Sequence, residues 1–394
     1  MKITAVRLYE LRGEMAFEGE FWEERLIRPV DIYPEHKTQG AGWLRQVEEG
    51  RYDMRSIFCE IETDEGLTGI GGPTTEDQAF VIRREIAPLL IGRDPLATER
   101  IWDVVYRSMV HGRKGTAMMA LSVVDCALWD LKGKWAGVPV YQLLGGPVRE
   151  RIPAYASALG FSLEPEKVAA QAKRFVDEGY GATKWFFRHG PTDGVEGINK
   201  NVELVETLRD AVGPDVDLML DCWMSWDVPY TVAMADRLAV YHPRWLEEPV
   251  LPDKIAQYAE IRRRSAVPIS GGEHEYTRWG IKALLDAGAV DVLQPDIYWA
   301  GGISEMLKIC ALASAYDIPV IPHGHSVPAT VHLIAAHPVT VCPLLEYLVK
   351  WNTVHQFFLA EPVVPVDGHV TLSATPGIGM ALDEDKVLER RELG

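Results

Sequence analysis

The sequence predicts an α/β protein, a TIM-type (β/α) barrel carrying a smaller α+β capping domain, and three observations point there. From Arg151 onward, apolar runs of strand type alternate with amphipathic helical stretches in a regular βα rhythm. Asp221, Glu247 and Glu273 each end such a run and stand 26 residues apart, about the length of one βα repeat. The chain has 394 residues, enough for one barrel of about 250 residues and a smaller partner domain.

Residues 2–11 and 55–63 alternate apolar and polar side chains, as half-buried strands of an antiparallel sheet do. Between them lies a segment from Glu14 to Arg51 rich in Glu, Pro, Gly and Trp, too long for a hairpin loop. It reads as a lid that buries Trp22, Tyr33 and Trp43. His36 and the nearby Arg55 would either reach a substrate or remain solvated surface groups. Residues 76–119 turn helical, and the stretch from Ala120 to Gly146 reads as a connector helix ended by Gly137 and Pro139. Its Asp125 and Asp130 read as salt-bridged or solvated rather than catalytic.

Strands are expected at 152–157, 182–187, 216–221, 244–249, 268–273, 290–296, 318–324 and 342–348, eight in all. The expected division is a cap over 1–125, a barrel over 126–354, and a tail over 355–394 that returns to the cap.

A formal net charge of −17 argues against nucleic acid as a partner. No uninterrupted apolar run approaches the roughly 18 residues of a membrane span. The five cysteines stand singly, without CxxC spacing or an N-terminal signal segment, which suggests a reducing cytoplasm.

Parallel strands would bring the three carboxylates to one rim. The next two strands end in Asp296 and His323, 27 residues apart. Three hard oxygen donors suit one Mg²⁺ per subunit, with positions left for a chelating sugar acid or other 2-hydroxy carboxylate. An imidazole with a carboxylate behind it suits removal of the proton beside that carboxylate. His274 and His325 would line the same rim, whereas His242, His332, His337, His355 and His369 read as packing or surface residues.

The motifs LDCWMS, WLEEP, SGGEH, QPDIYWAGG and PHGHSV, with the connector helix LSVVDCALWDLKGKWAGVPVYQLLGG, resemble those of the enolase superfamily, mandelate racemase group, and within it the acid-sugar dehydratases of the L-rhamnonate type. The resemblance implies an enolase-like modified barrel with metal ligands at Asp221, Glu247 and Glu273, the second of them Glu247 and not its neighbour Glu248. It also implies a His323–Asp296 dyad and an acidic group at Glu346. Racemases of the group resemble one another in a Lys-x-Lys whose second lysine is the opposite base; here the triplet is Lys184-Trp185-Phe186. Phenylalanine cannot take a proton, so the resemblance implies one-base dehydration to a 2-keto-3-deoxy sugar acid, with Lys184 holding the substrate or forming a salt bridge. Arg188 and His189 in the following run are further candidates for substrate contact. A cycloisomerase and a non-catalytic barrel that binds sugar acids or metal are the alternatives. A homo-oligomer is expected.

Overall fold

The computed structural model describes residues 1–38, 40 and 44–394, so Trp43 lies outside the described residues. The cap is an antiparallel sheet of β1 (Ile3–Ala16), β2 (Gln46–Glu48), β3 (Arg51–Thr63) and β4 (Thr68–Thr74). Strand β1 pairs with β3 from Ile3↔Thr63 to Ala16↔Arg51, which fixes the two alternating segments against each other.

The barrel strands are β5 (Arg151–Ser157), β6 (Ala182–Phe186), β7 (Asp217–Asp221), β8 (Trp245–Glu247), β9 (Ile269–Gly271), β10 (Val292–Leu293) and β11 (Leu345–Leu348). Among the described residues these seven run parallel, β5 pairing with β11. The run expected at 318–324 forms no strand. It contributes a single bridge, Leu293 to Val320, because three prolines or glycines (Pro319, Pro322 and Gly324) interrupt it.

The tail serves both domains. Strand β12 (His369–Thr371) adds antiparallel to β5, and β13 (Glu389–Glu392) pairs with β1 of the cap. The helix Thr116–Ala136 is continuous, so the division expected at residue 125 would cut through one element. It lies tightly on β4: a Cβ at Gly69 would stand 2.1 Å from the Ala127 carbonyl and one at Gly71 2.5 Å from that of Val123. Asp125 and Asp130 are buried in it rather than solvated. Asp125 accepts the backbone N–H of Ser304 at 2.9 Å, and Asp130 accepts those of Ile70 and Ile378, also at 2.9 Å. The two carboxylates thereby fasten barrel, cap and tail to one helix. No helix among the described residues is long and apolar enough to cross a membrane.

The segment after β1 folds over the barrel mouth. Phe21, Trp22, Leu26 and Ile27 are buried, whereas Tyr33, expected to bury, is 54% exposed. Trp22 packs on Trp351, and the Ile27 N–H bonds the Phe187 carbonyl beyond β6. Within the segment, Arg25 donates to Asp31 at 2.6 Å and to the carbonyls of Leu26, His36 and Lys37. Burial works against the ionised Asp31, but bonds from Arg25 and Arg28 outweigh it and hold its pKa below the usual carboxylate value. A depressed folded-state pKa gives stability that is present above the unfolded value and lost only as pH falls through the folded one. The lid should therefore stay ordered through neutral and mildly acidic pH. Asp31→Asn is expected to speed proteolytic nicking within residues 17–38 about 10-fold, since a charged hydrogen bond is worth about 1.5–3 kcal/mol; equal nicking rates would contradict this.

Candidate functional site

The site is one layer of a strand-built stack. Tyr155, Ala182, Met219, Trp245 and Ile321 form a closed apolar cluster inside the barrel, with Val292 and Leu344 packed on it. Side chains two positions along a strand share a face. Two residues beyond each plug residue stand Ser157, Lys184, Asp221, Glu247, His323, Gln294 and Glu346. The polar layer thus rests on an apolar floor at the C-terminal mouth. Glu273 joins it by a different route: Gly272, at φ +107°, breaks the alternation of β9 just before it. Trp223, Met224 and Glu248, at φ of 39°, 63° and 41°, sit in the left-handed region beside Asp221 and Glu247. Such strain concentrates where side-chain placement matters more than backbone comfort.

Lys184, Phe186, Asp221, Trp223, Glu273 and His323 line a small cavity that Leu26 of the lid caps. The Lys184 ammonium pairs with Glu247, lies 2.7 Å from Glu346 and 3.8 Å from Asp221. Burial would lower its pKa, but Glu247 and Glu346 raise it well above the ordinary value. The other Glu247 oxygen accepts from Trp245 Nε1 at 3.0 Å and Gln294 Nε2 at 2.8 Å. Asp221 accepts the Trp223 N–H at 2.9 Å.

His323 Nδ1 lies 2.9 Å from Asp296 Oδ2, and its Nε2 lies 3.5 Å from Glu273 Oε1. Asp296 in turn accepts the Tyr298 N–H at 2.7 Å. Burial would lower the His323 pKa, but Glu273 and Asp296 push it up to about 10. Burial lifts Glu273 itself to about 7, and burial and Glu247 lift Asp221 well above the carboxylate range. Asp221 and Glu247 share Lys184, whereas Glu273 is grouped within 4.8 Å with Glu248 and His274; hard carboxylate oxygens at one barrel mouth are of the kind that suits a divalent cation. Balancing Glu273 with such a cation would release His323 towards a neutral ring.

A second set of donors, Glu248, Glu273 and His274, lies within 4.8 Å. Glu248 is already matched there. His274 Nδ1 stands 2.6 Å from it, and that carboxylate draws His274 up to about 9 despite burial. Glu247 has the inward parity of Trp245 and shares its layer with Lys184, whereas Glu248 turns to His274.

The remaining expected residues are placed differently. Glu346 is buried with one oxygen on Lys184 and the other accepting the Gly324 N–H at 2.9 Å, beside His323. His325 is half-buried against His355, ring centroids 4.2 Å apart, and stands beside Trp299 and His323 at 5.4 and 6.4 Å; desolvation drives its pKa well down. His36 sits in the turn Pro34–Lys37, and Arg55 is exposed and bonded to Asp53 at 3.0 Å. Neither is among the residues lining the cavity. Arg188 and His189 line a separate cavity between lid and barrel; Arg188 bonds the Lys37 carbonyl at 2.7 Å, and Lys37 Nζ meets Asp193 at 2.5 Å.

Sequence reasoning did not single out Gln294 or Trp299. Trp299 packs on His323 with ring centroids 5.1 Å apart. The signal for Gln294 was its place two residues before Asp296 in a strand with an inward Val292. Gln294→Leu removes one of the donors that orient Glu247, and should weaken divalent-cation binding about 10- to 100-fold, the usual cost of losing such support. Titration calorimetry that finds an unchanged Kd would reject this role.

Comparison with known proteins agrees with this architecture. Residues 167–386 match the enolase C-terminal domain-like family, and 48–145 match the mandelate racemase / muconate lactonizing enzyme N-terminal domain. An L-rhamnonate dehydratase of Saccharopolyspora erythraea is 36% identical over 99% of both chains. The crystal structure of rhamnonate dehydratase from Gibberella zeae complexed with Mg superposes with a TM-score of 0.81 at 30% identity, covering 98% of this chain and 96% of that one. That of the 3,6-anhydro-D-galactonate cycloisomerase from Zobellia galactanivorans gives 0.79 at 29% identity, covering 98% of each. Matching in both domains and along nearly its whole length, the chain belongs to the mandelate racemase / muconate lactonizing enzyme family of the enolase superfamily.

Proposed function

We propose that the chain is a hydro-lyase that dehydrates an acid sugar, a rhamnonate-like aldonate, to a 2-keto-3-deoxy sugar acid. The observation that carries this reading is the asymmetry of the cavity. One wall holds the His323–Asp296 pair, and Phe186, at the end of β6, is apolar where a second base would have to stand. Asp221, Glu247 and Glu273 would hold one Mg²⁺. When bound, it supplies positive charge against the second negative charge that proton removal places on the substrate carboxylate.

His323 Nε2 takes the proton on the carbon beside the carboxylate, while Asp296 keeps the tautomer that presents Nε2 and stabilises the imidazolium. The same ring then returns the proton to the hydroxyl on the adjacent carbon, which leaves as water, and the enol tautomerises to the ketone. Lys184 offers its charge to the substrate carboxylate, and Glu346 holds both Lys184 and the Gly324 amide beside His323 in place. Leu26 and the lid exclude water.

A panel of aldonate and deoxyaldonate stereoisomers with Mg²⁺, scored by a carbonyl-specific reagent, tests the reading. A 2-keto-3-deoxy product that disappears in Glu247→Gln supports it. The resemblance to the Zobellia cycloisomerase names the competing outcome, in which an internal ether is rearranged and no water is lost. A product isomeric with its substrate would favour that reaction instead. Several copies of the chain would assemble in solution, which light scattering would reveal as a multiple of 44.0 kDa.

A further inference from the structure

At the opposite end of the barrel lies a cluster for which the carboxylate site has no use. Cys310 is on the inner face of the helix Gly302–Ser314, and Cys342 lies in the approach to β11; both are fully buried. Their sulfurs are 3.8 Å apart. His337 follows the helix Val327–Ala335, is partly exposed, and brings a ring nitrogen to a grouping in which all three donor atoms lie within 4.8 Å of one another.

We propose that Cys310, Cys342 and His337 form a second metal site, one for a thiophilic zinc-class divalent cation, that staples the seam where the barrel closes. Two thiolates at about 2.3 Å from a tetrahedral metal stand about 3.8 Å apart, which is the separation these sulfurs already have. His337 Nδ1 is 2.8 Å from the Leu333 carbonyl, a bond to which the ring donates. That places the neutral ring's lone pair on Nε2, the orientation in which ligating histidines are usually held. The Arg149 guanidinium is bonded to the Cys342 carbonyl and fixes the backbone that presents this thiol. Binding displaces two protons to solvent, one from each thiol, so charge balances without an oxidant. The partly exposed imidazole gives an entry path and leaves a fourth position for water.

The place of the cluster says what the metal does. Among the described residues the seventh barrel segment forms no strand and a single bridge, Leu293 to Val320, and Val320 N–H bonds Val341 O at 2.7 Å, one residue before Cys342. A metal there would tie the helix after β10 to the segments before β11, across a seam with little ladder of its own. The N-terminal face of a barrel is where a stabilising rather than a catalytic device belongs.

The test is Co²⁺ titration of the full chain, reduced with a phosphine and saturated with Mg²⁺ so that oxygen donors are occupied. One equivalent should produce thiolate-to-cobalt charge-transfer absorption, which Zn²⁺ then bleaches. Cys310→Ser and Cys342→Ser should each abolish it, and His337→Ala, at a partly exposed position that tolerates truncation, should weaken cobalt binding at least about 10-fold. Zn²⁺ should raise Tm of the parent chain and leave that of Cys342→Ser unchanged. A parent chain without the band, a band that persists in Cys342→Ser, or equal cobalt affinity in His337→Ala overturns the proposal.

Discussion

His323→Asn is expected to lower kcat by at least about 10³-fold and to abolish exchange of the substrate proton beside the carboxylate with solvent deuterium. General acid–base groups contribute about 10²–10⁴-fold, and the proposed chemistry uses this ring twice, as base and then as acid. The structure offers no substitute on the facing wall, because Phe186 occupies the end of β6 and Lys184 is committed to Glu247 and Glu346. Asparagine keeps a polar group towards Asp296, so folding and cation binding should survive. Lys184→Met should cost less than His323→Asn, since Lys184 binds charge and moves no proton. Equal losses in the two variants, or deuterium exchange that persists without the imidazole, would rule out a one-base mechanism centred on His323.

The carboxylate site was legible because strands impose a period on the sequence. Equal spacing of Asp221, Glu247 and Glu273 marked three successive repeats, and the next two supplied Asp296 and His323. What the spacing did not show was depth. The rule of two residues beyond an inward apolar side chain would have added Gln294 and distinguished Glu247 from Glu248 without any resemblance, but the inward face is known only once the plug of Tyr155, Met219 and Trp245 is assembled. The seventh strand failed for a local reason: PVIPHG has the β-branched residues of a strand and prolines that withhold its hydrogen bonds. Tyr33 was misplaced for a tertiary one, since nothing local tells a buried position from an exposed one. Cys310 is separated from His337 and Cys342 by the seventh barrel segment and the helix Val327–Ala335, so no short spacing rule joins them.

Asp221→Asn should abolish turnover and yet stabilise the cation-free protein, by about 1 kcal/mol, the scale on which relieving functional strain usually registers. The two effects have one cause. Without a cation, Asp221 is a buried acid repelled by Glu247 and Glu273, and Lys184 is 3.8 Å away and engaged elsewhere. Burial and that repulsion raise its pKa, so folding disfavours its charged form. The sign for a raised carboxylate is that stability is lost as pH rises from the unfolded value through the folded one, and at neutral pH the site carries that cost. Asparagine removes the charge and still accepts the Trp223 N–H through its carbonyl oxygen. Without Mg²⁺ the variant should therefore melt above the parent chain. Adding Mg²⁺ should reverse the order, because only the parent retains three anionic ligands and gains stability in proportion to RT ln(1 + [Mg²⁺]/Kd). Melting curves with and without Mg²⁺ would settle the point: an Asp221→Asn chain that melts below the parent in both conditions would mean that Asp221 is a structural acid and that the cation binds elsewhere.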